Sequence, residues 1–156
     1  MERKDMPRRM EAMELKIGRT MAALEKNNMH AYYAPTCEEA VRVVESLLEE
    51  GNTISCGGSV TLDAAGVKAL MRSGKYNFLD REAVATDAER QEIYRKTFSA
   101  DAFLTSTNAI TENGELYNID GGGNRVAAML FGPKKVIVVA GYNKIVRDLD
   151  AAAQYV

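Results

Sequence analysis

The run Val136-Ile137-Val138-Val139-Ala140 constrains this chain most. Successive side chains of a strand point to opposite faces, so a run apolar at every position needs cover on both, and it predicts a central parallel strand with helices on either side. The rest of the chain fits that frame, because short apolar runs alternate with helical stretches. His30-Ala31-Tyr32-Tyr33-Ala34 reads as a strand ending before Pro35. Thr36 reads as a helix N-cap with Glu39 placed to complete a capping box, ahead of a buried stripe of Ala40, Val43, Val44, Leu47 and Leu48 that closes at Gly51. Thr53-Ile54-Ser55-Cys56 is a short strand leading through Gly57-Gly58-Ser59 into a helical stretch over 60–71 with a break at Gly66. Tyr76-Asn77-Phe78-Leu79 and Ala102-Phe103-Leu104-Thr105 read as strands around a charged helix over 86–99, in which Ile93, Tyr94 and Phe98 face inward. Asn108-Ala109-Ile110-Thr111 and Glu115-Leu116-Tyr117-Asn118-Ile119 flank Asn113-Gly114, a strong hairpin signal. A last helix starts at Asp148.

At 156 residues, 46% hydrophobic and 27% charged, the chain is large enough for one domain with its own core. Met6, Met10, Met13, Ile17, Met21 and Leu24 recur at helical spacing, which predicts an N-terminal amphipathic helix over 1–28, stopping at Asn27-Asn28, before an α/β domain over 29–156. The methionine stripe packs either on the domain or against a second subunit, so a homodimer is one expected partner. No apolar run reaches the length of a membrane span, and the N-terminus lacks a signal-peptide core; a cytoplasmic protein with no membrane partner is expected. Cys37 and Cys56 are the only cysteines and His30 the only histidine, which leaves no set of ligands for zinc or an iron–sulfur cluster. His30, at the head of an apolar segment, is expected to be partly buried.

Two glycine turns carry the candidate chemistry. In Asp120-Gly121-Gly122-Gly123-Asn124-Arg125, bare backbone lies beside charge, and the amides ahead of an apolar run can face an anion. Asp120 is a candidate general base or a ligand-orienting carboxylate; the alternative is a turn-forming aspartate bonded to local amides. From 121 to 147 the chain carries Arg125, Lys134, Lys135, Lys144 and Arg147 and no acid, although its net charge is -2. That local excess suits a small anionic ligand and not nucleic acid. The turn Gly57-Gly58-Ser59, with Thr61, either holds a phosphate or carboxylate or makes a tight strand-to-helix connection capped by Ser59. Asn108, Asn143 and Lys144, beyond expected strands, complete the candidate ligand-binding set, since open α/β sheets bind ligands beyond the carboxyl ends of their strands. Val126 stands where a dinucleotide fingerprint needs glycine or alanine, and Thr61 where a nucleophile elbow needs glycine.

The segments 55–62, 100–111, 118–129 and 132–146 together resemble the LUD domain family, the lactate-utilisation proteins of the LutC and YkgG type, in order from about Arg9 to Ala153. The resemblance implies a three-layer α/β/α sandwich of the NagB/RpiA/CoA-transferase-like group, whose members bind sugar phosphates, folates or CoA esters. It further implies a bacterial protein tied to oxidation of L-lactate to pyruvate, with iron–sulfur subunits as partners that carry the electrons. It brings no catalytic residues with it. Longer relatives continue past the helix beginning at Asp148, often into a cysteine-rich tail, so this chain is expected to be either a short form or a truncated one. Three functions stay open: an accessory component binding a small anionic metabolite; a free-standing enzyme like the sugar-phosphate isomerases and deaminases or a CoA-ester binder, with Asp120 as proton-transfer base; and a non-enzymatic sensing or scaffolding module.

Overall fold

The computed structural model describes residues 6–156, so the first five residues of the expected N-terminal helix lie outside the described residues. The chain is a mixed α/β protein with a mostly parallel sheet and helical layers. It divides into two compact units. One holds the N-terminal helix and the chain to Tyr33, with Thr107–Asn118 and Gly141–Val156; the other holds Ala34–Ser106 and Ile119–Ala140.

In the first unit, helix α1 spans Met6–Lys26. Asn28, at φ 62, makes the left-handed stop that asparagine tolerates best among residues with a Cβ. The Asn-Gly turn is present: β4 (Ala109–Thr111) pairs antiparallel with β5 (Leu116–Tyr117), and β4 pairs parallel with β7 (Ile145–Val146). Gly114, at φ 81, lies so close to α1 that a Cβ there would be 2.6 Å from the Ala23 carbonyl carbon. Asn27 clamps the same turn, donating to the carbonyls of Asn113 and Gly114 at 3.0 Å each. Lys16 donates to the Ile145 carbonyl at 2.7 Å, and Thr20 is buried. α1 therefore packs through Lys16, Thr20, Ala23 and Asn27. Gly18 lies off this face with open space where a Cβ would stand, although a mid-helix glycine costs about 0.5–1 kcal/mol relative to alanine. Helix α7 (Leu149–Tyr155) starts where expected, with Asp148 accepting from the Ala151 amide at 2.9 Å.

In the second unit, α2 (Cys37–Ser46) is capped by Thr36, which accepts from the Glu39 amide. β1 (Thr53–Cys56) leads into α3 (Val60–Ala64), capped by Ser59. Gly66, at φ 78, makes the expected break before α4 (Val67–Met71). Then come β2 (Asn77–Leu79), α5 (Asp87–Thr97) behind a full capping box of Thr86 and Glu89, β3 (Ala102–Thr105), α6 (Asn124–Leu130) and β6 (Lys135–Val138). The sheet order is β2-β1-β3-β6, parallel throughout. Strand alternation sends Ile54 and Cys56 of β1, with Ala102 and Leu104 of β3, into a core with Val44, Leu62, Val67 and Met71. The other face receives Ser55, bonded to Thr97 of α5 at 2.7 Å. Helices thus cover both faces of this sheet.

Three expectations, the last being the partial burial of His30, are corrected here. The 136–140 run supplies β6, but β6 ends the sheet order and buries only Ile137 below the surface; the fully buried strand is β3, one of the two interior strands, whose Ala102-Phe103-Leu104-Thr105 is less β-branched. His30 to Ala34 form no strand. Tyr32 and Tyr33 are 56% and 44% exposed, and the His30 side chain is 88% exposed beside Glu25, so apolar composition without a pairing partner leaves the segment irregular.

Candidate functional site

All four strands of the second unit's sheet run the same way, so the residues following each collect along one edge. β1 ends at Cys56 and enters Gly57-Gly58; β3 ends at Thr105 before Ser106; β2 ends at Leu79, and Arg81 follows two residues later. The register Ser55↔Leu79 and Ser55↔Phe103 sets these ends side by side.

Two arginines lie against the first glycine turn. A Cβ on Gly58 would fall 2.5 Å from Arg81 Nη2, and one on Gly57 would fall 3.0 Å from Cγ and Cδ of Arg125. The Arg81 guanidinium, the far end of a flexible side chain, occupies the space a side chain at 58 would take. Arg81 donates through Nη1 to the Tyr94 hydroxyl at 3.1 Å, while its Nε is buried without a hydrogen-bond partner among the described residues. Arg125 donates through Nη1 to the Ser106 carbonyl at 3.0 Å and through Nη2 to the Ile119 carbonyl at 2.9 Å. The flanking acids of Arg81 are occupied elsewhere. Asp80 pairs with Arg72 at 2.7 Å, and Glu82 with Lys68 at 2.6 Å and Arg72 at 2.9 Å. Burial works against the Lys68 ammonium, yet its hydrogen bonds to Glu82 and Asp63 outweigh that and hold its pKa above the usual range. Cys56, at the mouth of the turn, is buried, and desolvation pushes its thiol up to about 11, so it stays protonated and is a poor nucleophile at neutral pH.

The second glycine turn is organised differently. Asp120 accepts from the Gly122 amide at 3.2 Å and the Val126 amide at 3.0 Å. Partial burial alone would raise its pKa, but hydrogen bonds from the amides of Val126, Gly122, Gly123 and Arg125 carry it below the ordinary aspartate value. Gly123, at φ 74, heads α6 without a side-chain cap, and the Asp120 carboxylate takes that part. Gly121 to Gly123 are exposed, and Asn124 turns its Oδ1 toward Gly122, 2.9 Å from where a Cβ would stand.

The structure thus brings Gly57, Gly58, Ser59 and Arg125 together and adds Arg81. Ser59 and Thr61 lie at the start of α3, where the Ser59 hydroxyl accepts from the Leu62 amide at 3.2 Å. Asn108, Asn143 and Lys144 belong to the first unit; there Lys144 donates to the Thr107 carbonyl at 2.7 Å, in and beside a short 3-10 helix, Tyr142–Lys144, that carries Asn143 exposed. Arg81 stands outside the set of residues the sequence pointed to, between two acids, Asp80 and Glu82. Its position just beyond a parallel strand was the available signal.

Among the described residues no group of three or more His, Cys, Asp and Glu side chains could hold a metal ion, and no helix is long and apolar enough to cross a membrane. The family model of the LUD domain matches residues 17–156. No curated protein matches the chain.

Proposed function

Because the chain belongs to the LUD domain family, we propose that it is an accessory component of L-lactate oxidation to pyruvate that binds a small anionic metabolite at the Gly57-Gly58 turn. One observation supports this reading above others: Arg81 and Arg125 both lie against consecutive glycines at the carboxyl edge of a parallel sheet. A carboxylate or phosphate over Gly58 takes charge from the Arg81 guanidinium, a planar donor that suits either group, and backbone from Gly58 and Ser59. Arg125 fixes the floor through its bonds to Ser106 and Ile119. The Asp120 turn holds Arg125 at the head of α6. A carboxylate already engaged by several amides is a weak base, so its role is to position and not to move a proton. In this scheme electrons pass to separate iron–sulfur subunits.

The test is a thermal-shift series with L-lactate, pyruvate, phosphosugars, CoA esters and inorganic phosphate on the wild type and on Arg81→Ala. One anion class is expected to stabilise the wild type, by about 2.7 kcal/mol at a hundredfold excess over Kd, and to leave the variant unmoved. Equal shifts in both proteins, or none with any anion, reject the site. Loss of growth on L-lactate in a strain lacking the chain is the expected result for the metabolic role; unchanged growth contradicts it.

A further inference from the structure

The outward face of α1 forms a shallow groove lined by Glu11, Glu14, Leu15, Gly18, Arg19 and Ala22. It lies opposite the face that packs on the first unit through Lys16, Thr20, Ala23 and Asn27. Leu15 is 60% exposed. At Gly18 nothing lies within 4 Å of where a Cβ would stand, so no packing within the chain calls for glycine at a place where it weakens the helix. A glycine there leaves room for close approach of another backbone.

The order of these residues names the occupant. Taken about the point midway between residues 16 and 17, Glu14 exchanges with Arg19, Leu15 with Gly18, and Glu11 with Ala22. Reversal of the helix direction thus maps the groove onto itself. We propose that α1 pairs antiparallel with α1 of a second copy across a twofold axis at this point. Each Leu15 then enters the notch over the partner copy's Gly18, and Glu14 and Arg19 form two reciprocal ion pairs, the isologous pattern of a twofold interface. Within one chain Arg19 is ion-paired with Glu112, 3.3 Å from its Nη2, yet its side chain stays 67% exposed and open to a second carboxylate. A single helix pair is a small interface, so the association is weak and concentration-dependent.

The test is sedimentation equilibrium of the full chain across a wide concentration range, with circular dichroism of every variant. The wild type is expected to move from monomer to dimer as concentration rises. Glu14→Arg or Arg19→Glu alone sets like charges opposite one another twice and is expected to weaken the dimer about tenfold or more. Mixing the two variants restores both ion pairs and recovers a heterodimer. Gly18→Leu, whose side chain meets open space in the single chain, fills the notch and weakens the dimer without loss of helix signal. A wild type that stays monomeric, a dimer unmoved by Gly18→Leu, or a mixture no more associated than its components overturns the pairing.

Discussion

At the second glycine turn the chain supplies its own anion: Asp120 accepts from Gly122 and Val126, and its pKa falls accordingly. At the first turn the charged neighbours are cationic, with Arg81 over Gly58 and Arg125 over Gly57. Both turns are rich in glycine and both lead into a short helix, so glycine content does not separate them. The sign of the charge beside the amides does. A turn that has met its need for negative charge internally is a structural joint; the other, with the Arg81 guanidinium over Gly58, is where we propose that an anion from outside binds.

The largest expected effect is on stability, at the second turn. Asp120→Asn removes a charge that several amides share and should cost about 1–3 kcal/mol in denaturant unfolding. A loss below a few tenths would place the two turns on the same footing. The pH dependence sharpens this. The folded pKa of Asp120 lies below the ordinary value, so its stabilisation is fully present above the unfolded pKa of about 3.9 and drains away as pH falls through the folded value. The stability gap between wild type and Asp120→Asn should therefore be constant near neutrality and close below about pH 4; a gap that persists in stronger acid rules out the carboxylate charge as its source.

At the first turn the expected effect is on binding. Gly58→Ala displaces the far end of a flexible arginine, so melting should change little while affinity for the stabilising anion falls about tenfold or more, some 1.4 kcal/mol. A large stability loss with unchanged affinity would make this turn the structural one. Gly121→Ala is the smallest: with open space around the new Cβ, stability should stay within about 0.5 kcal/mol and binding unchanged. Strong loss of binding in that variant would move the anion to the second turn.

Local chemistry made most of the elements readable. Thr36, Ser59 and Asp148 cap the helices they precede, Gly66 breaks 60–71 into two, and Asn113-Gly114 turns the hairpin, because capping and left-handed turns are decided within a few residues. Strand position was not readable in this way. Val136-Ile137-Val138-Val139-Ala140 has the composition of a central strand yet ends the sheet order, while Ala102 to Thr105 takes an interior place through pairing with β1 and β6, partners remote in sequence. The site divides along the same line. Gly57, Gly58 and Arg125 stand out in the sequence as glycine turn and cation, but the placing of Arg81 over Gly58 depends on the parallel register of β1 and β2, and the occupation of Asp120 on the path of its own turn.

The contrast between the turns is tested most directly by following backbone amide chemical shifts while the protein is titrated with pyruvate and, separately, with inorganic phosphate. Saturable shifts at Gly57, Gly58 and Ser59, with Gly122 and Gly123 unmoved, are the predicted result. Shifts centred on Gly121 to Gly123, or none at either turn, would contradict it.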